Sequence, residues 1–253
     1  MRVGVISDIH GNLVCLEAIL SELRQAHVEQ VVCLGDVAEL GPRPHDVIRE
    51  LRQLRCAVVM GNEDEALLST ESPRKYADEG DEKIHEIDKW TVSQMTSSDL
   101  DFIRNFEPTV RVDLPGGKAL LCCHGSPRSN TERITSTAPD DEELEKIISG
   151  ARRPFALASG HTHLQMTRSH LGSTILFNPG SVGLPFLYHS VADLRVQHPK
   201  FAPQAEWALL ETDGSSTRVE LRRTRVGFDK ISASIMDSGM PHAEWLMSQW
   251  EPS

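Results

Sequence analysis

Three short apolar runs near the N-terminus alternate with two stretches of helical periodicity, and this alternation most constrains the fold. The runs at 2–7, 30–34 and 56–60 have the length and composition of buried strands. Between them, residues 12–26 and 44–54 repeat apolar side chains at helical spacing, and Pro44 suits the first turn of a helix. A strand–helix–strand–helix–strand order predicts a parallel sheet with right-handed crossovers.

Beyond residue 60, the pattern predicts a helical insertion at about 63–108, in which Ser97 or Ser98 caps a helix. Further strands are expected at 118–123, 155–159, 173–177, 206–211 and 217–223, an acidic helix at 139–149 and a C-terminal helix at about 229–250. We expect the last four strands to form a second, largely antiparallel sheet. Because no linker separates two units, we interpret 1–253 as a single domain with two packed sheets.

Composition narrows the class of partner. A formal net charge of −11 argues against a surface that grips a nucleic-acid backbone. The longest apolar runs are far too short to span a membrane, and the chain opens directly into a strand without a signal-peptide core, which favours the cytoplasm. Five cysteines without a CxxC pair indicate buried, reduced thiols.

Polar side chains follow five of the predicted strands at the point where each ends. In chain order they are Asp8 and His10, then Asp36, then Asn62 with Glu63 and Asp64, then His124, then His161 and His163. In open α/β sheets, ligands bind beyond the carboxyl ends of the strands. Residues one apart, such as Asp8 and His10 or His161 and His163, point to the same side of an extended chain.

This donor set predicts a metal site. Carboxylate oxygens, imidazole nitrogens and one amide oxygen suit manganese, iron, cobalt or zinc, and the set is too rich in nitrogen for magnesium or calcium alone. A single His-x-His pair is more often structural than ligating. Seven ligand-type residues, distributed over the ends of several apolar strands, favour ligation instead.

Taken together, these motifs resemble those of the calcineurin-like metallophosphoesterases. The family pattern appears in order as Asp8-Ile9-His10, Gly35-Asp36 to Gly41-Pro42, Gly61 to Asp64, His124-Gly125 and Gly160 to His163. The segments GDVAELGPRPHDVIREL, HGSP and FNPGSVGLP are similar to a compact bacterial and archaeal branch, whose members are often described as phosphodiesterases or diadenosine tetraphosphate hydrolases. The likeness covers nearly the whole chain.

The resemblance implies an α/β fold, a four-layer αββα sandwich of two mixed sheets flanked by helices. It also implies two divalent transition-metal ions (manganese, iron, zinc or cobalt, with manganese favoured). One ion would be held by Asp8, His10 and His163, the second by Asn62, His124 and His161, and Asp36 would bridge them. The implied reaction is hydrolysis of phosphodiester or phosphoanhydride bonds, as in nucleotides, by in-line attack of a metal-bridging hydroxide.

Glu63 departs from the family, most of which carries His at this position. The catalytic residues implied by the resemblance are Asp36, Asn62 and His124, with Glu63 an open fourth. Glu63 is either a general acid whose pKa is raised by shelter, or a residue outside the reaction. In the second case the substrate's leaving group needs little protonation, and nearby cations, which lower a carboxyl pKa, favour this interpretation.

Contacts to substrate are predicted for a further set of residues: Asn62, Asn178, Gly180, Ser181 and Arg128. The alternative for 178–183 is a plain turn, and the alternative for Arg128 is a solvent-facing role. The apolar insertion at 184–205, which relatives lack, is expected to reshape or cover the pocket.

Two other functions stay open. A phosphomonoesterase acting on a small metabolite or phosphopeptide would need extra Arg or Lys to meet a dianion, and few candidates are evident. A non-catalytic scaffold, such as retromer's small metallophosphoesterase-like subunit, would be expected to lose ligands, whereas all seven are present. The expected partner is therefore a small phosphate ester or nucleotide, with neither nucleic acid nor membrane.

Overall fold

The structure is a computed structural model that describes residues 1–69, 79–149, 154–170, 174–187 and 200–251. Within these residues the strands are β1 Arg2–Ile6, β2 Gln30–Cys33, β3 Ala57–Val58, β4 Thr109–Leu114, β5 Lys118–Cys123, β6 Ala156–Ser159, β7 Met166–His170, β8 Thr174–Asn178, β9 Gln204–Thr212 and β10 Thr217–Arg225. The helices described are α1 Leu13–Gln25, α2 Pro44–Leu54, α3 Asn62–Leu68, α4 Glu79–Gln94, α5 Ser97–Arg104, α6 Asp141–Ser149, α7 Phe228–Met236 and α8 Ala243–Met247.

The first sheet has the strand order β10-β9-β1-β2-β3. β1 pairs in parallel with β2, and β2 with β3, which confirms the predicted parallel start of the chain. The two crossover helices are also confirmed. The Asn12 side chain caps α1 by accepting a hydrogen bond from the Cys15 backbone N–H at 3.4 Å, and Pro44 is the first residue of α2.

The second sheet has the order β4-β5-β6-β8-β7, with β5, β6 and β8 parallel and the two edge strands antiparallel. The prediction that the last four predicted strands form a largely antiparallel second sheet is therefore wrong. β9 and β10 instead extend the first sheet, where β9 pairs antiparallel with β1 and Val5 lies opposite Ala208. The edge strands β4 and β7 were not predicted, because exposed charged residues in β4 and exposed hydroxyl residues in β7 interrupt their apolar pattern.

Apolar side chains fill three layers. Val5 of β1, Ala208 of β9, Leu120 of β5 and Phe177 of β8 lie in the cluster between the two sheets. A second cluster joins the first sheet to α1, α2, α7 and α8, and a third joins the other sheet to α6. The αββα sandwich implied by the resemblance is thus confirmed.

The helical regions differ from the prediction in detail. The insertion at 63–108 contains three separate helices, α3, α4 and α5, and ends before β4; residues 70–78 lie outside the described residues. Thr96, rather than Ser97 or Ser98, caps α5: its hydroxyl accepts from the Asp99 backbone N–H at 3.2 Å, while the Asp99 carboxylate accepts from the Thr96 backbone N–H at 2.9 Å.

The predicted C-terminal helix at 229–250 is two helices, α7 and α8. Between α7 and α8, Gly239 and His242 have φ angles of 74° and 57°, and this left-handed backbone interrupts the predicted helix. All five cysteines are free thiols, four of them buried. In the part of the chain that the structure describes, each helix is too short or too polar to cross a bilayer.

Candidate metal centre

Loops at the carboxyl ends of both sheets hydrogen-bond to one another. The loop after β1 meets the loop after β2 through Asp8 N–H to Gly35 O at 3.0 Å and His10 N–H to Asp36 O at 3.0 Å. In the second sheet, Gly160 N–H donates to His124 O at 2.6 Å. The loop after β8 joins the two sheets, because Gly183 N–H donates to Asp8 O at 3.0 Å. The rim that carries the predicted ligands is therefore one connected unit.

Five of the predicted ligands have left-handed backbone. Their φ angles lie between 48° and 64°, and they are Asp8, His10, Asp36, His161 and His163. The expectation that Asp8 and His10, or His161 and His163, share one side of an extended chain is therefore wrong. Such backbone costs a non-glycine residue on the order of 1–3 kcal/mol and concentrates at functional sites. The turns direct His161 and His163 to two different groups of ligand atoms.

The first group, which we call the Asp8 cluster, consists of Asp8, His10 and His163, with ligand atoms within 4.8 Å of one another. His10 Nε2 and His163 Nε2 are 3.0 Å apart. Asp8 Oδ1 lies 3.3 Å from His163 Nε2 and 4.0 Å from His10 Nε2. Two imidazole nitrogens and a carboxylate oxygen thus converge on one point.

The second group, the Asp36 cluster, consists of Asp36, His124 and His161, again with ligand atoms within 4.8 Å. His124 Nε2 lies 3.1 Å from Asp36 Oδ2 and 3.0 Å from Asn62 Oδ1. Gly61 permits this approach, since a Cβ there would lie 2.0 Å from Asp36 Oδ1. All seven predicted ligands are therefore brought to one centre.

Two of the four histidines direct Nε2 into the centre because Nδ1 donates a hydrogen bond on the other side of the ring. Nδ1 of His124 donates to the Leu34 carbonyl at 2.8 Å, and Nδ1 of His163 donates to the Leu184 carbonyl at 2.8 Å. Nδ1 of His10 contacts the carboxylate of Glu39. Such partners fix the tautomer that leaves Nε2 free to bind a metal.

The buried charges of the centre fit metal cations. The Asp8, Asp36, Glu39 and Asp64 side chains are at most 2% exposed, and within the described residues none of them pairs with Lys or Arg. Asp8 Oδ1 and both Glu39 carboxylate oxygens accept no hydrogen bond there. Burial raises the pKa of Glu39, and it raises the pKa of Asp64 to about 7, so a bound cation would favour the charged forms of these groups, and the donor set is suited to divalent ions.

Burial and neighbouring charges set the protonation of the histidines. Burial, followed by the charge of His163, lowers the pKa of His10 to about 3, and burial, followed by the charge of His124, lowers the pKa of His161 to about 4. Burial also acts to lower the pKa of His124, but Asp36 outweighs it and raises this pKa to about 10. A metal ion at His124 would therefore compete with a proton more strongly than one at His10 or His161.

Glu39 and Asp64 were given no role from the sequence. Glu39 forms a third group of possible ligand atoms with His10 and Asp36. The Asp64 carboxylate accepts from the backbone N–H groups of Asp36 at 2.7 Å, Val37 at 2.9 Å and Gly61 at 3.1 Å, which ties the loop after β2 to the loop after β3. The available signal for Glu39 was its charge within the otherwise apolar stretch VAEL.

Asn178 and Ser181, predicted to contact substrate, are fully buried and hydrogen-bond within the protein. Asn178 Nδ2 donates to Gly160 O at 2.7 Å, and Ser181 Oγ donates to Asp8 O at 2.7 Å. Gly180 has φ 78°, and a Cβ there would lie 2.0 Å from Glu206 Oε2. The turn at 178–183 therefore supports the loops that carry the Asp8 cluster, through its hydrogen bonds to the carbonyls of Gly160 and Asp8.

Arg128 and Glu63 lie near the centre in different settings. Arg128 is engaged by Glu132 and, at 2.6 Å, by Glu143, so its charge is already compensated. Glu63 is half-buried: its backbone N–H donates to Asp36 Oδ1 at 2.9 Å and its carboxylate accepts from Asn62 Nδ2 at 3.0 Å. It lines a cavity of about 600 Å³, which we call the Glu63 cavity.

The described ends of the 184–205 insertion pack beside the Asp8 cluster; residues 188–199 lie outside the described residues. The Phe186 ring stacks on His163 with centroids 4.9 Å apart and on Phe201 at 5.7 Å. Phe201 in turn contacts Trp250 at 5.2 Å. The insertion therefore packs directly against one predicted metal ligand, His163.

Comparisons with known proteins agree with this geometry. The model of the calcineurin-like phosphoesterase superfamily domain matches residues 1–198. An uncharacterized protein of Methanocaldococcus jannaschii is 27% identical over 197 residues, which cover 72% of this chain and 76% of that protein.

Solved structures share the fold. A metallophosphoesterase from Sphaerobacter thermophilus has a TM-score of 0.71 at 23% identity, covering 98% of each chain. A hypothetical protein from Pyrococcus horikoshii has a TM-score of 0.77 at 17% identity, covering 100% of this chain and 98% of the other. With a family match over most of its length, the chain belongs to the calcineurin-like phosphoesterase superfamily.

Proposed function

We propose that this protein is a phosphohydrolase with a two-metal centre, cleaving phosphodiester or phosphoanhydride bonds in small substrates such as nucleotides. The position of Asp36 carries the proposal. The Asp36 carboxylate belongs to two groups of possible ligand atoms, one with His124 and His161 and the other with His10 and Glu39. Within each group the ligand atoms lie within 4.8 Å of one another. A carboxylate between two ligand clusters is suited to bridging two ions.

Two ions bound there would lower the pKa of a bound water and stabilise the charge on a phosphoryl group undergoing in-line displacement. The donor set suits manganese, iron, zinc or cobalt, and we favour manganese.

Asn62 and His124 are the residues best placed to orient the substrate. The NH₂ of Asn62 donates to the Glu63 carboxylate, which turns the amide oxygen toward His124 Nε2 at 3.0 Å, where both atoms could bind one ion without adding negative charge. The His124 ring is held from behind by the Leu34 carbonyl. Such pre-set groups position a phosphoryl group without reorganisation during the reaction.

The test is turnover by protein loaded with manganese and analysed for metal content. We expect bis-p-nitrophenyl phosphate to be hydrolysed at least tenfold faster than p-nitrophenyl phosphate, because a dianionic monoester would need more cationic side chains than the centre offers. His124→Ala, checked by circular dichroism for folding, provides the blank. Preference for the monoester would favour the phosphomonoesterase alternative. Two bound ions without turnover of either ester would contradict the proposal.

A further inference from the structure

A second cavity, of about 490 Å³, also reaches the centre and differs from the Glu63 cavity in its chemistry. Its walls include Arg133, Thr135, Ser136 and Thr137 from the loop after β5. It also reaches His161 and His163, one ligand from each cluster. We call it the Arg133 cavity. A group held between the two clusters would therefore have direct access to it.

Arg133 is exposed, and among the described residues it makes neither an ion pair nor a side-chain hydrogen bond. Nearby arginines differ: Arg128 is engaged by Glu132 and Glu143, and Arg168 pairs with Asp141 at 2.6 Å. A guanidinium group with five free donors matches the oxygens of a phosphate.

Arg133 lines this cavity together with His161, so its guanidinium group shares one space with the Asp36 cluster while its donors stay available to a ligand.

The same loop offers hydroxyl donors. Thr135 Oγ1 is used locally, since it accepts from the Ala138 backbone N–H at 2.9 Å and stabilises the turn. Within the described parts of the chain, the hydroxyls of Ser136 and Thr137 have no hydrogen-bond partner. Arg133, Ser136 and Thr137 are therefore donors that a phosphate in this cavity can use.

The Glu63 cavity has the opposite charge. It is lined by Glu63 and Glu65, together with Asn62, Leu68 and other residues. Two carboxylates repel a phosphate but accept hydrogen bonds from sugar hydroxyls or a base. A substrate with one phosphate-bearing arm and one neutral organic arm thus has a single favourable orientation across the centre.

We propose that the Arg133 cavity is a subsite for a second phosphate, the leaving group of a phosphoanhydride, and that substrates linked through pyrophosphate are preferred over simple diesters. This inference rests on the proposed function. In this reaction the oxygen of water forms a new bond to one phosphorus, and the bond between that phosphorus and the bridging oxygen breaks. The electron pair of the broken bond stays on the departing phosphate, and the water protons pass to solvent. Arg133 offsets the charge left on the departing phosphate, so Glu63, in the other cavity, does not need to donate a proton.

Binding provides a test that is independent of turnover. Isothermal titration calorimetry on manganese-loaded protein would compare methylenediphosphonate, a non-hydrolysable pyrophosphate analogue, with inorganic phosphate. We expect Arg133→Ala to weaken methylenediphosphonate binding roughly ten- to a hundredfold, as for loss of a charged hydrogen-bonding group, and phosphate binding less than threefold. Arg104→Ala is the matched control, because Arg104 is an exposed arginine on α5 that pairs with Asp101.

Turnover provides the second arm. Arg133→Ala should lower kcat/KM for diadenosine diphosphate at least tenfold, and that for the p-nitrophenyl ester of adenosine monophosphate less than threefold. Equal losses on both substrates and both binding probes, or no loss on any, would overturn the subsite. If wild-type protein hydrolyses neither substrate, the proposed function fails, while the binding ratio still decides whether Arg133 recognises a second phosphate.

Discussion

The Asp8 cluster and the Asp36 cluster use the same kinds of donor in different surroundings. Asp8 and His10 are at most 3% exposed, and the His163 ring is covered by Phe186. In the Asp36 cluster, His161 is half-buried and lines the Arg133 cavity, while the neighbouring Asn62 lines the Glu63 cavity. Each cluster thus reaches the Arg133 cavity through one histidine, His161 or His163, and only the Asp36 cluster also adjoins the Glu63 cavity, through Asn62.

The partners behind the histidines differ as well. His124 and His163 donate to neutral backbone carbonyls, whereas His10 contacts the carboxylate of Glu39. An anionic partner makes an imidazole a stronger ligand, and its charge attracts a cation directly. We therefore expect the Asp8 cluster to bind its ion more tightly than the Asp36 cluster does.

Metal removal gives the largest expected effect and tests this difference in affinity. Stepwise dialysis against increasing concentrations of chelator should release the metal ion of the Asp36 cluster before that of the Asp8 cluster. Hydrolysis of bis-p-nitrophenyl phosphate should fall by roughly a thousandfold with the first equivalent lost, since in-line displacement needs both ions. Plasma mass spectrometry and turnover, measured on the same samples, check this. Simultaneous loss of both equivalents would contradict unequal clusters, and full activity in metal-free protein would contradict the proposed function.

The two clusters could be predicted because a short local sequence pattern identifies their residues. Asp8, Asp36 and His124 each come at the end of an apolar run and have a glycine nearby in the sequence, and the carboxyl ends of parallel strands meet at one rim. The contact between Glu39 and His10 could not be predicted, because it depends on left-handed turns at His10 and Asp36 that no spacing rule contains.

The fold shows the same limit over longer distances. The first three strands and two helices follow from periodicity, which is a local property. The pairing of β9 with β1 joins residues about two hundred positions apart, such as Val5 and Ala208. Apolar composition identifies β9 as a strand but not which sheet it joins. The position of the aromatic contact between Phe186 and His163 likewise depends on packing rather than on any motif.

Glu39→Gln should have an intermediate effect on metal binding and tests whether Glu39 makes the Asp8 cluster the tighter of the two sites. The glutamine keeps the size of Glu39 and an oxygen beside His10 but loses the charge, so we expect manganese affinity at the tighter site to fall roughly ten- to a hundredfold. Competition with a fluorescent chelator would measure this. Removal of a buried, uncompensated carboxylate should also raise the melting temperature of the metal-free protein.

Glu107→Gln, an exposed change of the same charge, is the control for Glu39→Gln. A purely structural role for Glu39 would lower the melting temperature of the metal-free and metal-loaded proteins alike. Unchanged manganese affinity would show that the Asp8 cluster does not depend on this carboxylate, and the two clusters would then differ only in the cavities that they reach.

Glu63→Gln has the smallest expected effect and tests the open side of the centre. The glutamine oxygen can still accept from Asn62 Nδ2, and the backbone bond to Asp36 does not involve the side chain. If the departing group lies in the Arg133 cavity and needs no proton, activity on p-nitrophenyl esters should stay within roughly threefold of wild type at neutral to mildly alkaline pH. Glu65→Gln, in the same cavity, controls for the lost charge.

The pH profile makes this last prediction decisive. A general acid at Glu63 would give wild-type kcat/KM an alkaline limb that disappears in Glu63→Gln, together with a fall of roughly a thousandfold or more at neutral pH. Such a result would place the leaving group in the Glu63 cavity and reverse the orientation inferred from charge. A profile that keeps its shape in both Glu63→Gln and Glu65→Gln would instead assign these carboxylates to the retained, organic arm of the substrate. The open face of the Asp36 cluster would then serve recognition rather than proton transfer.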